Sequence, residues 1–294
     1  MTQRKLRFAL FGNIYQAKKS ASIKKVLSCI ANYDAELYVD MEYYYFLKDN
    51  QRLDVHATKI LTDDDFTADF VISMGGDGTF LKSASRVGGK GIPILGINMG
   101  RLGFLADISP DDIEHCMAAL YRDDYVIETR ALIQVEADGQ PLGNPSFALN
   151  DVAVLKRDTA SMIGIRATIN GQLLTTYQAD GLIVSTPTGS TAYSLSNGGP
   201  IIVPGTNVFS MTAVAPHSLN IRPIVIPDSS IVELDVASRS HHFLVAIDGR
   251  SEKCKEGTKI TLRRAPYSIK VVKRSDHRYF NTLREKMMWG ADVR

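Results

Sequence analysis

A glycine-rich turn with an acid inside it is the first place in this sequence where chemistry is concentrated. Gly75-Gly76-Asp77-Gly78-Thr79 follows the apolar run Phe70-Val71-Ile72-Ser73-Met74. Glycines admit positive φ and let a ligand approach the backbone. The N–H groups of such a turn, backed by the N-terminus of the next helix, form an anion nest suited to phosphate. A carboxylate there is unfavourable unless it meets a metal ion or a reacting hydroxyl. Asp77 therefore argues for a reaction, beyond a tight strand-to-helix connection. Two better-known phosphate motifs do not fit. A dinucleotide fingerprint needs glycine where Gly76-Asp77-Gly78-Thr79-Phe80-Leu81 has Leu81, and a P-loop needs Ser or Thr after Gly-Lys, whereas Gly89-Lys90 is followed by Gly91.

A second polar constellation runs from Asp180 to Pro200. The apolar segment Leu182-Ile183-Val184 leads into seven hydroxyl residues, Ser185, Thr186, Thr188, Ser190, Thr191, Ser194 and Ser196, beside Gly189 and a Gly198-Gly199 turn. Helix capping would use one or two of them. The rest offer donors and acceptors for ribose hydroxyls, a base edge or phosphate oxygens. Asn150-Asp151 is a smaller signal, a polar pair inside the strand-like run from Phe147 to Val154, and reads equally as a bulge or a site.

These residues need elements to position them. Leu6–Phe11, Ala35–Val39, Phe70–Met74 and Ile92–Ile97 read as strands, with helical spacing over 18–31, from Thr79 past Ala84, and after the Ser109-Pro110-Asp111-Asp112 start signal. This alternation predicts an α/β, Rossmann-like domain with a parallel sheet and helices on both faces, over 1–128. From 129 to 273 the texture changes to short alternating runs, among them Leu132–Ala137, Val152–Leu155, Ile165–Ile169, Ile231–Val236, Phe243–Ile247, Ile260–Leu262 and Tyr267–Val272. Asp138-Gly139, Asn170-Gly171 and Asp248-Gly249 separate them, which predicts a β-rich, β-sandwich-like domain. The closing segment, 274–294, turns helical over Asn281–Trp289 and is expected to pack on the first domain.

Composition narrows the partners. A net charge of +2 gives no basic footprint for nucleic acid. No apolar run approaches the roughly 18–20 residues of a membrane helix. The three scattered cysteines, Cys29, Cys116 and Cys254, form no disulfide framework, which fits a reducing cytoplasm. The histidines lack zinc-site spacing, and no protein-held metal site is expected. Cys29 reads as core, Tyr43 to Phe46 as packing aromatics, and His217 as a turn residue.

Taken together, the motifs resemble those of bacterial-type NAD kinases. Gly75–Thr79 is shared with lipid kinases and, in similar form, phosphofructokinases, so it names a superfamily. Asp180 through Pro200 is far more specific. Asn98-Met99-Gly100-Arg101-Leu102-Gly103-Phe104-Leu105 and Phe280-Asn281-Thr282-Leu283-Arg284-Glu285-Lys286 also fit. The resemblance implies transfer of the γ-phosphate of ATP, with Mg²⁺, to the 2′-hydroxyl of the adenosine ribose of NAD, giving NADP, in a cytoplasmic homodimer or homotetramer. It implies that Asp77 faces the acceptor hydroxyl, with Gly78 beside it, and that Asn150 and Asp151 hold ribose. Asp151 stands where the family usually has Glu, one methylene longer. Asp180, Thr191, Ala192, Tyr193, Ser194, Leu195, Ser196 and Ala215 match dinucleotide contacts. Ser161 and Gln178 occupy positions where basic or imidazole side chains are frequent, and Arg250 falls at a ligand-contacting position. Gly75, Gly76, Gly78 and Thr79 are expected at the ATP phosphates. Lys82 could add charge there, although a solvated helix lysine is the plainer reading. A lipid kinase of the same superfamily and a non-catalytic NADP(H) sensor are the alternatives; the hydroxyl-rich stretch argues against the first and the intact Asp77 turn against the second.

Overall fold

The computed structural model describes residues 5–15, 20–100, 102–157 and 161–290. Lys18, where helical spacing was expected to begin, and Arg101 lie outside them. The chain forms two compact units, one of Met1–Thr129 with Ile269–Arg294 and one of Arg130–Ser268.

In the first unit, the continuous apolar runs Phe70–Gly75 and Ile94–Asn98 become strands buried on both faces, as the centre of a parallel sheet requires. The elements are β1 (Arg7–Gly12), α1 (Ser20–Asn32), β2 (Glu36–Asp40), α2 (Met41–Tyr45), β3 (Lys59–Leu61), β4 (Phe70–Gly75), α3 (Asp77–Val87), β5 (Ile94–Asn98) and α4 (Ile113–Tyr121). The strand order is β3-β2-β1-β4-β5, all parallel. Strand order reverses between β1 and β4, and ligands of such sheets bind beyond the carboxyl ends of the strands at that switch point. Gly75 ends β4 there, so the fold puts the acid-bearing turn where this architecture handles ligands.

Helix α1 buries Ile23, Val26, Cys29 and Ile30 along one stripe. Tyr43 and Phe46 are buried and stacked with ring centroids 5.9 Å apart. Gly12 makes room for them, because a Cβ at that position would lie 2.0 Å from the Tyr43 ring. Phe46–Asn50 continues α2 as a π-helical turn, which the aromatic cluster did not announce. The C-terminal part of this unit adds Val271 beside Ile94 of β5 in parallel register and the helix Tyr279–Met287.

The second unit is a β-sandwich. One layer is antiparallel in the order Ile224–Pro227, Val208–Val214, Gly181–Ser185, Asp151–Lys156, His242–Ile247, Arg250–Lys255. The facing layer pairs Gln172–Ala179 with Ile163–Ile169, then Val232–Ala237, then the start of Ile260–Arg274. Val152, Val154, Phe243 and Val245 of the first layer meet Ile163, Ile165, Leu234 and Ile260 of the second in one core. The runs expected separately at Ile260–Leu262 and Tyr267–Val272 are a single strand of 15 residues, Pro266 included.

Candidate phosphoryl-transfer site

Asp77 is the first residue of α3, with Gly76 as its N-cap. Its carboxylate accepts consecutive backbone N–H bonds, from Phe104 to Oδ2 at 2.9 Å and from Leu105 and Ala106 to Oδ1, both at 3.0 Å. Gly103 permits this approach, since a Cβ there would sit 2.1 Å from Asp77 Oδ1. A carboxylate offers about four lone-pair directions. Among the described residues these bonds fill those of Oδ1 and leave Oδ2 able to accept one more. Asp77 is thus a rigid acceptor rather than a swinging base.

The glycines act differently from the expected left-handed nest. Positive φ occurs at other glycines but at none of Gly75, Gly76 and Gly78; Gly76 is extended at φ −106°, ψ −169°. The reason is that β4 runs directly into α3, whose N-terminus is the kind of helix end that attracts an anion. Gly75 is needed for packing, because a Cβ there would lie 2.2 Å from the Thr79 hydroxyl. A Cβ added at Gly76 or Gly78 would meet nothing within 4 Å, so the space beside both is open. Thr79 is buried and Lys82 exposed.

In the second unit, Asp151 begins a strand beside Gly181–Ser185, and Asn150 directly precedes it. Their backbone is pinned by a residue that sequence reading treated only as a turn. Asp248 accepts the N–H groups of Leu149 at 2.7 Å, Asn150 at 2.8 Å and Asp151 at 3.2 Å. Asp248 and Gly249 both have positive φ, and that Asp-Gly hairpin signal concealed the second role. The Asn150 side chain makes no hydrogen bond among the described residues, so its amide is open to a ligand. Asp151 is 7% exposed. Burial, reinforced by the Asp248 charge and opposed by the Tyr193 N–H, pushes its carboxyl up to about 7. Burial also raises Asp248, against its backbone donors and Arg250.

The hydroxyl-rich stretch divides into scaffold and surface. Thr186 donates to Leu149 O at 2.6 Å and accepts from Gly189 N at 3.2 Å. Ser190 donates to Pro187 O at 2.7 Å and accepts from Ile202 N at 3.0 Å. Ser194 bonds Thr212 at 3.0 Å, and Ser185 donates to Thr186 O. These buried hydroxyls satisfy the backbone of an irregular segment, as buried polar groups must. Expecting most of the hydroxyls to face a ligand was therefore too generous. Gly189 is wedged against the backbone of Asn150, 2.1 Å separating a hypothetical Cβ from Asn150 O. Tyr193 and Ser196 are exposed, and Thr191, Ala192 and Leu195 are half-buried.

The remaining candidates are placed as follows. Asp180 pairs with Lys156 at 2.7 Å. Ala215 is held at φ +43°, a strained value for a residue with a side chain. Gln178 is exposed with its amide over Gly164, and Ser161 is half-buried. The Arg250 guanidinium donates to Pro145 O and Phe147 O at 3.3 and 3.2 Å, so part of its donor set is already engaged.

The ATP-NAD kinase N-terminal domain model matches residues 19–125, and the ATP-NAD kinase C-terminal domain model matches 149–274. A curated NAD kinase of Bacteroides fragilis is 59% identical over 289 residues, covering 98% of this chain and 100% of the relative. A Porphyromonas gingivalis NAD kinase is 44% identical, covering 98% and 99%. Among solved structures, yeast NADH kinase complexed with NADH superposes with a TM-score of 0.88 at 20% identity, over 100% of this chain and 90% of that one. An Archaeoglobus fulgidus NAD kinase in complex with ATP gives 0.74 at 24% identity, over 96% and 99%. At those identities the two structures speak to the fold. The family models and the full-length relatives go further: this chain belongs to the NAD kinase family.

Proposed function

We propose that the chain transfers the γ-phosphoryl group of ATP to the 2′-hydroxyl of the adenosine ribose of NAD, giving NADP and ADP. The observation that carries this reading is Asp77, held by three backbone donors at the phosphate-handling turn with one lone pair of Oδ2 left over. Phosphoryl transfer passes through a loose transition state, in which alignment and charge neutralisation outweigh base strength. Asp77 Oδ2 orients the 2′-hydroxyl and takes its proton late. The room at Gly76 and Gly78 and the N-terminus of α3 receive the ATP phosphates, beside Gly75 and Thr79, with Lys82 as a flanking charge. Asn150 and Asp151 hold ribose. Asp180, the exposed part of Thr191–Ser196, Ala215, Ser161, Gln178 and Arg250 contact the dinucleotide.

No cluster of three or more His, Cys, Asp or Glu that could hold a metal ion occurs among the described residues. Mg²⁺ would be carried chiefly by the phosphate oxygens of ATP, as is common at nucleotide sites. When bound it neutralises charge on the triphosphate. No described helix is long and apolar enough to cross a membrane. We assign a cytoplasmic location and a homodimeric or homotetrameric state, without nucleic-acid or membrane partners.

The test is product formation by the purified chain from Mg²⁺-ATP with NAD, NADH or diacylglycerol. Phosphorylated NAD or NADH is expected, and its absence refutes the reading. In the same assay Asp77→Asn should lower kcat by about 10²–10⁴-fold while NAD still binds; near-wild-type kcat would remove Asp77 from its role.

A further inference from the structure

The loop that grips Asp77 is itself gripped from its other side. Lys273 Nζ lies 2.6 Å from Asp107 Oδ2 and 3.4 Å from Phe104 O. The Lys273 and Asp107 side chains are only 2% and 6% exposed. His277 Nε2 is 3.1 Å from the same Asp107 oxygen and 3.3 Å from the Thr282 hydroxyl on the last helix. Lys286 donates to Leu102 O and its ammonium stands over the Phe104 ring, which also meets Tyr279. All of these groups belong to the first unit.

One peptide plane joins the two grips. The carbonyl of the Phe104–Leu105 peptide accepts from Lys273, and the N–H of that same peptide donates to Asp77 Oδ1. Because the peptide is planar, fixing its oxygen fixes the direction of its N–H. An ammonium at the oxygen also polarises the unit and strengthens N–H donation. A buried ion pair is seldom more stabilising than an apolar pair of the same size, but it is directional. That property suits registry of a loop better than bulk stability.

We propose that Lys273, locked by Asp107 and His277, is a positioning residue for phosphoryl transfer: it holds the Phe104–Ala106 amides in the one register that fixes the Asp77 carboxylate. The proposal rests on the role given to Asp77 above, and its test separates the two. Lys273→Met/Asp107→Leu removes both charges together, so neither is left buried and unpaired. Its kcat should fall about 10- to 100-fold, the scale of a small misplacement of a reacting group, with KM for NAD and ATP little changed. Amide hydrogen exchange at Phe104, Leu105 and Ala106 should accelerate in the folded variant. Lys273→Arg should restore part of the lost rate. In an Asp77→Asn background the double change should cost nothing further, whereas a purely structural role predicts the same loss in both backgrounds. If Asp77→Asn is impaired but Lys273→Met/Asp107→Leu keeps wild-type kcat or loop protection, the latch is wrong and the Asp77 role stands. If Asp77→Asn is fully active, both fall. A double variant that does not fold, together with Lys273→Arg at wild-type rate and exchange, would assign the pair to folding and overturn the latch.

Discussion

Asp151→Asn should make the ligand-free protein more stable, by an amount that grows with pH. The Asp151 carboxyl is pushed up from 3.8 to about 7, first by burial and then by Asp248. A carboxyl raised in the folded state holds its proton more tightly there than in the unfolded chain. The folded state therefore loses stability as pH rises from the unfolded value toward the folded one. The span of about 3 units, at 1.36 kcal/mol each, corresponds to roughly 4 kcal/mol in all. By the same linkage, about 2 kcal/mol of it is lost between pH ~5.5 and pH ~8. Asparagine has no proton to lose and keeps an acceptor for the Tyr193 N–H. The stability gap between variant and wild type should therefore widen by about 2 kcal/mol over that interval, or about 4–8 °C in Tm for a unit of this size. The assay is thermal unfolding of both proteins at the two pH values without nucleotide. A gap that does not change with pH refutes the linkage, because packing differences alone are independent of pH.

Three further outcomes follow from the geometry. Gly78→Ala meets no atom within 4 Å and lies in the first turn of α3, so it should leave the fold as stable or stabilise it by about 0.5–1 kcal/mol, while raising KM for ATP; an unchanged KM would place the phosphates elsewhere. Gly189→Ala drives a Cβ to 2.1 Å from Asn150 O and should cost about 3 kcal/mol or more in urea unfolding, with loss of NAD affinity measured by calorimetry. Ser190→Ala leaves the Ile202 N–H without its partner in a fully buried place, and chemical denaturation should show a loss of about 1–3 kcal/mol.

Some of this molecule is legible in its sequence for clear physical reasons. Phe70–Gly75 is buried throughout, so an uninterrupted apolar run reads correctly as a central parallel strand. The turn after it carries its own chemistry. Arg250–Lys255 was not legible, because only Cys254 of that polar strand is buried and its place is set by pairing with His242–Ile247. The hydroxyls of 185–196 were visible, but which of them turn inward depends on Leu149, Ile202 and Thr212, which lie outside the stretch, 12 to 37 positions from their partners. Lys273 and Asp107 lie 166 positions apart, and neither sits in a motif. Chain topology alone brings them together.

The Asp248 turn has a consequence for the lifetime of the protein. Asp-Gly sequences age by attack of the glycine nitrogen on the aspartate side chain, which inserts an extra methylene into the backbone. Two such dipeptides here share the same left-handed turn, Asp138-Gly139 and Asp248-Gly249. Asp138 is restrained through one side-chain bond, from Lys259 N at 2.9 Å. Asp248 is held by the N–H groups of Leu149, Asn150 and Asp151 and is not free to rotate onto Gly249. Of these two, isoaspartate should accumulate first at Asp138 in a stored sample, where only a hairpin changes. Its later appearance at Asp248 would release Asn150 and Asp151 together, so the restraint on the pair proposed to hold ribose also sets how slowly it wears out.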